Sequence, residues 1–280
     1  MRQQGMPEDS LAFIGGGNMA RALIGGLLAA GRDPATIRVA DPEPGARGEL
    51  EASFAGVAVF GDNASAVRGA STWVLAVKPQ HARAVASGLA TLAQASRPLV
   101  VSVAAGIRVA DLRRWLGAGV SVVRTMPNRP ALIGAGMTAL FAEPSVTPGQ
   151  RERAEKILAA VGAYLWIEDE SLMDAVTAVS GSGPAYVFLL VEMLEAAAAA
   201  EGLDAAAARR LAVETVHGAA RMAHELGEDP ATLREQVTSR GGTTAAALGV
   251  LEAAGIRGTF AAAVHAGTLR SRELAEESGD

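Results

Sequence analysis

The segment Leu11-Ala-Phe-Ile-Gly-Gly-Gly-Asn-Met-Ala20 joins a short apolar run to a cluster of three glycines. The apolar run predicts a β-strand over residues 11–14, and the pattern that follows predicts a helix over residues 18–30. The intervening Gly-x-Gly-x-x-Ala is typical of a turn that binds a dinucleotide pyrophosphate, because its glycines permit a tight turn and close backbone approach. Three consecutive glycines also form ordinary tight turns, so the position of the cluster after a first strand supports the interpretation.

Short β-rich runs alternate with helix-length segments from Leu11 to about Ile167. Such alternation indicates βαβ units and a parallel sheet, and near-continuous apolar strands fit a sheet that is covered on both faces. We therefore predict an α/β fold whose residues 10–168 form a Rossmann-type dinucleotide-binding domain. The further predicted strands are 37–40, 56–59, 72–77, 99–103 and 120–124.

Strand signals disappear after Glu168, where alanine- and leucine-rich segments of helix length take over. We predict an all-α domain over residues 169–276. Helices so rich in alanine form a thin core, so we expect this domain to oligomerise. The predicted helices are 181–201, 204–226, 230–237, 243–254 and 256–276.

Composition excludes several classes of protein. Twenty-five basic and thirty acidic side chains give a net charge of −5 without any lysine/arginine block, so no nucleic-acid surface is predicted. The chain has no cysteine, which excludes disulfides, thiolate nucleophiles and cysteine-ligated metals. None of the four histidines has a partner at metal-ligand spacing, so no metal site is predicted. They are His81, His217, His224 and His265.

Neither a secretory signal nor a membrane span is predicted. The N-terminus, Met1 to Ser10, is polar and carries two acidic side chains. The most apolar stretch, 185–200, is interrupted by Glu192 and Glu195, whereas a span needs about 20 mainly apolar residues. We therefore expect a soluble, cytoplasmic protein.

Asp41, at the end of the second predicted strand, bears on the choice of dinucleotide. An acidic residue here usually binds the ribose hydroxyls of NAD. The 2′-phosphate of NADP beside it costs about 4 kcal/mol per charge pair at about 4 Å, with an effective dielectric constant of about 20. NADPH use would require Asp41 to turn away and an arginine such as Arg47 to turn inward. The pattern favours NADH and leaves NADPH open, and Asp41-Pro42 can also be a simple loop start.

Three more loops follow predicted strands at the edge where open α/β sheets bind ligands. They are Ala76-Val-Lys-Pro79, Val103-Ala-Ala-Gly106 and Arg124-Thr-Met-Pro-Asn128. The small residues of the second loop allow a flat nicotinamide ring to lie against the backbone. Any one loop can be structural, but three on one edge strengthen the case for a dinucleotide site.

Two glycine clusters occur in the helical half. Ser180-Gly-Ser-Gly-Pro-Ala-Tyr186 predicts a helix start, with Ser182 as N-cap and Pro184 in the first turn. Val237-Thr-Ser-Arg-Gly-Gly-Thr-Thr-Ala-Ala-Ala-Leu248 places four hydroxyl side chains and two glycines before another helix. Its free N–H groups would hold a small anion such as a carboxylate, although simple capping remains an alternative.

The available side chains favour reduction of an imine over reduction of a ketone. A ketone needs a positioned acid, usually His or Lys, to protonate its oxygen. No histidine belongs to an evident site motif, and Lys78 belongs to the cofactor edge. A cyclic imine can be protonated beforehand, so hydroxyls such as Thr244 and an anchor for a carboxylate suffice.

Six segments match, in order, the motifs of one known family. They are 13–20, 76–79, 124–128, 174–177 (Asp-Ala-Val-Thr), 180–186 and 238–244. They resemble pyrroline-5-carboxylate reductase from about Leu11 to Ala275, and the last two segments are much more specific than the first. The resemblance implies NAD(P)H-dependent reduction of 1-pyrroline-5-carboxylate to L-proline, and a helical domain that interlocks two subunits, with dimers often assembled into decamers.

The resemblance also implies roles for individual residues. Thr244 is the expected catalytic residue, as hydrogen-bond partner of the ring nitrogen, and the substrate is held by Ser239, Gly241, Gly242, Thr243 and Thr244. Together with Asp41, the cofactor is expected to be bound by Ile14, Gly15, Gly16, Gly17, Asn18, Met19, Asn63, Ala76, Val77, Lys78, Pro79, Val103, Ala104 and Ala105.

Two residues depart from the family pattern, which usually has proline where Arg240 stands and threonine where Arg129 stands. Two other functions are alternatives to the reductase. A 3-hydroxyacid dehydrogenase needs a catalytic lysine in the helical domain, but no lysine follows Lys156. A non-catalytic, dinucleotide-binding regulatory protein is disfavoured by the intact Thr243-Thr244 pair.

Overall fold

The computed structural model describes residues 9–279, so the first eight residues of the polar N-terminus lie outside the described part of the chain. The described chain forms two compact units. One contains residues 9–181 and 267–279, and the other contains residues 182–266. The first is built on a β-sheet, and the second is helical.

The first unit contains an eight-stranded sheet in the order β3-β2-β1-β4-β5-β6-β7-β8. The first six strands in the chain are all parallel, as predicted. The strand order reverses between β1 and β4, which is where an open α/β sheet has its binding crevice. The strands are Leu11–Ile14 (β1), Ile37–Ala40 (β2), Ala58–Phe60 (β3), Thr72–Leu75 (β4), Leu99–Ser102 (β5), Ser121–Met126 (β6), Gly136–Ala142 (β7) and Gly162–Trp166 (β8).

β7 and β8 were not predicted from the sequence, and β7 departs from the parallel pattern because it runs antiparallel to β6. Only the short 3₁₀ turn Arg129–Ile133 and its flanking residues connect these two strands. A parallel neighbour would need a crossover of a dozen or more residues, so the chain turns back on itself. β8 pairs with β7 in parallel at the sheet edge, after an intervening helix.

Helices cover both faces of the sheet and enclose two apolar clusters. Successive side chains of β1 point to opposite faces of the sheet. Leu11 and Phe13 therefore belong to one cluster, and Ala12 and Ile14 belong to the other. The helices before residue 182 are Asn18–Ala29 (α1), Pro44–Ser53 (α2), Asn63–Val67 (α3), Pro79–Ser96 (α4), Val109–Leu116 (α5), Pro148–Ala159 (α6) and Met173–Val176 (α7).

The sheet unit extends beyond the predicted domain boundary at 168/169, because residues 169–181 and 267–279 belong to it. Glu170 Oε1 accepts hydrogen bonds from the Val109 N–H at 2.8 Å and from the Arg124 guanidinium at 2.9 Å. The buried Ser271 hydroxyl donates to the buried Asp174 carboxylate at 2.8 Å. These bonds hold both segments against the sheet unit.

The second unit is all-helical, as predicted, and many of its apolar side chains are exposed. In α8 no residue is buried, and Phe188 and Met193 are more than half exposed. The helical stretch 170–200 is long and apolar enough to cross a membrane by length and composition, as is the bent pair 243–253 and 256–277 if it is counted as one span. The remaining helices are Gly183–Ala200 (α8), Ala205–Leu226 (α9), Pro230–Gln236 (α10), Thr243–Ala253 (α11) and Ile256–Gly279 (α12).

We predict that Glu170→Ala lowers the free energy of unfolding by about 3 kcal/mol, because it leaves the Arg124 guanidinium without its anionic partner. The Arg124 side chain is only 5% exposed. Urea unfolding at one fixed protein concentration measures the loss. Glu152→Ala is the control, since the Glu152–Lys156 pair is exposed and should change stability by less than about 1 kcal/mol. Equal effects of the two substitutions would contradict the prediction.

Candidate active site

The first glycine of the cluster lies at the point where the strand order reverses. Gly15 has a φ of +99°, and a Cβ atom on it would lie 2.6 Å from the carbonyl oxygen of Ala76. The Gly15 N–H donates to Ala40 O at 2.9 Å, and the Ala76 N–H donates to Ile14 O at 2.8 Å. The ends of β1, β2 and β4 are therefore joined by backbone bonds at one place.

The next residues form an open cradle at the start of α1. Gly17 is the N-cap residue and supplies no side-chain cap, so the first N–H groups of the helix are left for another partner. A Cβ atom on Gly17 would meet nothing within 4 Å, and both Gly17 and Asn18 are exposed. An anionic group fits such a helix start, because the N–H groups and the helix dipole both favour negative charge.

Asp41 is tied to the glycine turn. Its Oδ2 accepts the Gly16 N–H at 3.0 Å, while its Oδ1 accepts the Glu43 N–H at 2.9 Å. The Arg47 guanidinium donates to the carbonyl oxygens of Asp41 and Pro42, at 3.0 and 2.8 Å. The carboxylate is therefore turned towards the cradle, and the guanidinium of Arg47 is engaged with backbone oxygens.

Asn63 starts α3, directly after β3, and Asp62 caps this helix. The Ser65 N–H donates to the Asp62 carboxylate at 2.8 Å, and this bond lowers the pKa of the exposed carboxyl below its ordinary value. The capping bond fixes the start of α3, and Asn63 lies there directly after β3.

The loops after β4 and β5 complete this edge. Lys78 is the N-cap residue of α4, with Pro79 in the first turn. The Val103 N–H donates to Leu75 O at 3.1 Å, so the two loops lie side by side, and Ala104 is buried as part of one of the two apolar clusters. All predicted cofactor positions thus lie at the carboxyl ends of β1 to β5: 14–19, 41, 63, 76–79 and 103–105. Their roles stay predictions.

The predicted substrate residues form a tight turn in the helical unit. The Gly242 N–H donates to Ser239 O at 3.0 Å, and Gly242 is the N-cap residue of α11 without a side-chain cap. A Cβ atom on Gly242 would lie 2.4 Å from Ser239 Oγ, so only glycine fits there while the serine hydroxyl stays in place. Thr243 and Thr244 open the helix, and Thr244 is partly buried. The turn offers hydroxyls and free N–H groups together.

The start of α8 differs in part from the prediction. Ser182 is its N-cap residue and Pro184 lies in the first turn, as predicted, but the Ser182 side chain makes no capping bond. A π-helical turn, Thr177–Gly181, precedes it and was not predicted. Such turns are rare and frequently occur at functional sites.

Arg21, for which no role was predicted, lies on α1 one turn after the glycines. Its guanidinium donates to Gly16 O at 2.9 Å and pairs with Glu49 at 2.9 Å. Arg21 therefore stabilises the glycine turn. The sequence signal that could have identified it is an arginine one helical turn after a glycine cluster.

Arg129, the residue after β6 that departs from the family pattern, is exposed.

Within residues 9–279, no group of three or more His, Cys, Asp or Glu side chains is placed to hold a metal ion.

Comparison with known proteins identifies the family. Residues 170–274 match the model for pyrroline-5-carboxylate reductase dimerisation, and residues 10–106 match the model for NADP oxidoreductase, coenzyme F420-dependent. A curated pyrroline-5-carboxylate reductase from Pseudomonas aeruginosa is 46% identical over 98% of this chain and 100% of its own length. The chain belongs to the pyrroline-5-carboxylate reductase family.

Solved structures agree with this assignment. A pyrroline-5-carboxylate reductase from Coxiella burnetii has a TM-score of 0.91 at 40% identity, covering 96% of this chain and 99% of its own. The Plasmodium falciparum pyrroline carboxylate reductase, solved with NADP bound, has a TM-score of 0.83 at 27% identity, covering 97% and 100%. The predicted family, the α/β fold with its helical dimerisation domain, and the assignment to the NAD(P)H-dependent oxidoreductases are confirmed.

We predict that Asp41→Ser shifts the ratio of kcat/KM values towards NADPH by about tenfold or more, because it removes the charge that repels a 2′-phosphate. Serine keeps an oxygen near the Gly16 N–H, so the glycine turn is retained. Steady-state rates with NADH and NADPH give the ratio. Asp33→Ser is the control, since Asp33 lies before the amino end of β2, whereas Asp41 follows its carboxyl end. An unchanged ratio in Asp41→Ser would show that Asp41 does not bind the ribose.

Proposed function

We propose that this chain reduces 1-pyrroline-5-carboxylate to L-proline with NAD(P)H, the last step of proline biosynthesis. The observation that carries the proposal is the presence in one chain of two uncapped helix starts. One is the open glycine cradle at the sheet edge, and the other is the hydroxyl-rich turn before α11. The full-length similarity to a protein named as this reductase supports the same activity.

The cofactor site suits a dinucleotide. Gly15 to Met19 would hold the pyrophosphate, Asp41 the ribose, and the loops 76–79 and 103–105 the nicotinamide end. Ala104 is buried, whereas the neighbouring Ala105 is exposed, and its small side chain leaves room for a flat ring. Bound there, NAD(P)H supplies the hydride.

The turn before α11 suits the carboxylate of the imino acid. Ser239, Gly241 and Gly242 form the turn, and the uncapped N–H groups at the start of α11 would donate to a bound anion. Thr243 and Thr244 add hydroxyls, and we assign Thr244 to the ring nitrogen. The balance is one imine, one NAD(P)H and one proton giving proline and NAD(P)⁺, with the hydride on carbon and the proton on nitrogen.

The helical unit is proposed to form the subunit interface. Large apolar side chains of α8 are exposed in the isolated chain, and contiguous apolar surface of this kind marks an interaction site. The family model that matches residues 170–274 describes dimerisation. We propose a cytoplasmic homodimer through domain 169–276, with residues 10–168 binding the dinucleotide, and further assembly of dimers into decamers.

A kinetic assay tests the function directly. Purified protein should oxidise NAD(P)H only when 1-pyrroline-5-carboxylate is supplied, and L-proline should accumulate in equal amount. Rates with both dinucleotides across pH also show whether the imine binds already protonated. Dinucleotide binding without turnover would instead favour the regulatory alternative. Turnover of a 3-hydroxyacid would instead favour the dehydrogenase alternative, which needs a catalytic lysine that this chain does not have after Lys156.

We predict that Thr244→Ala lowers kcat by about 100-fold while NAD(P)H affinity is retained, because a positioned proton partner is worth about that much. Thr244→Ser should restore most of the activity, since it keeps the hydroxyl. Thr91→Ala, an exposed threonine of α4, is the matched control. Steady-state kinetics and cofactor titration by fluorescence separate the two effects. Unchanged turnover in Thr244→Ala would remove this residue from the chemistry.

A further inference from the structure

Asn128 connects three segments of the sheet unit through one side chain. It follows β6 and precedes the 3₁₀ turn Arg129–Ile133, but its side chain does not cap that turn. Instead its Nδ2 donates to Ser180 O at 3.1 Å, with Ser180 Oγ at 3.4 Å. Its Oδ1 accepts the Met137 N–H, in β7, at 2.9 Å. The loop at the carboxyl end of β6, the start of β7 and the π-helical turn are thereby joined.

The bond to Ser180 O replaces a donor that the sequence has removed. In a continuous α-helix this carbonyl oxygen would accept the N–H four residues later. That residue is Pro184, which has no N–H group. A carbonyl that is partly withdrawn from water and has no partner is costly, so the amide of Asn128 stabilises the turn where Pro184 supplies no N–H group.

Ser180 lies at the end of the sheet unit, where the chain passes on to α8. Asn128 lies beside the edge that is proposed to hold the nicotinamide. We propose that Asn128 is a positioning residue for hydride transfer, which fixes the exit of the chain from the sheet unit relative to that edge. This inference rests on the proposed function, because hydride transfer at that edge is the reaction whose rate the variants report.

Removing the Asn128 side chain, which bonds to both Ser180 and Met137, should lower the rate of the chemical step while cofactor binding is retained. A misplacement of about 1 Å can reduce turnover by about 100-fold. For Asn128→Ala we expect kcat to fall about 10- to 100-fold, with the dissociation constant of NAD(P)H within about twofold of wild type. Asn128→Asp should lose at least as much, because it keeps the acceptor for Met137 but places an oxygen against Ser180 O.

A second-site variant tests whether Asn128 acts through its bond to the Ser180 carbonyl oxygen. Pro184→Ala restores an N–H group four residues after Ser180, so the double variant Asn128→Ala/Pro184→Ala should regain part of the lost kcat. Ser180→Ala is the matched control, since it removes only the hydroxyl at 3.4 Å and leaves the carbonyl. It should stay within about threefold of wild type. Thermal melting and size-exclusion chromatography accompany each variant.

The outcomes separate the inference from the function on which it rests. A wild-type protein that does not reduce 1-pyrroline-5-carboxylate overturns the proposed function, and this inference with it. If wild type is active, an Asn128→Ala variant within threefold of its kcat overturns the inference alone. So does a variant that loses cofactor binding, melting temperature and turnover together, since that pattern shows a purely structural role. Lowered kcat with intact binding and rescue by Pro184→Ala supports it.

Discussion

Gly15 and the carbonyl oxygen of Ala76 approach so closely that no side chain can stand between them. The contact joins β1 to β4, the two neighbours at which the strand order reverses. Helices that follow such strands leave towards opposite faces, and the crevice between them is the binding site of open α/β sheets. The bond between Asp41 and Gly16 N–H depends on the same turn. The edge that is proposed to bind the dinucleotide is therefore formed chiefly by backbone groups, with few side chains adding specificity.

The sequence was sufficient to predict the six parallel strands and the helices after residue 182, because apolar periodicity and glycine stops mark them locally. It did not reveal β7 and β8. The direction of β7 depends on how short its connection to β6 is, and β8 is an edge strand whose middle residues are exposed. The extent of the sheet unit depends on long-range bonds of Glu170 and Ser271, which no local pattern encodes.

The candidate site, like the fold, was predicted only in part. The glycine cradle and the turn before α11 were predicted because glycine and hydroxyl residues at helix starts have a direct physical meaning. Asn128 was part of a recognised motif but received no role, since its partner lies 52 residues away in the chain. The need for that partner arises from Pro184, whose missing N–H matters only once the π-helical turn is seen. The contact between Asn128 and Ser180 can therefore be recognised only in the folded structure.

The turn before α11 also shows what Arg240 changes. The proline that the family usually has here would fix φ and stabilise the folded turn by about 0.4–1 kcal/mol, through the unfolded chain. Arginine gives up that contribution, yet the turn is held by Gly242 N–H on Ser239 O and by the Thr238 hydroxyl on Arg234 O. Its shape therefore does not depend on proline. Arg240 adds a positive charge to the turn that is assigned to the substrate carboxylate. We expect this charge to strengthen the attraction of the anionic substrate, and salt should weaken that attraction by screening.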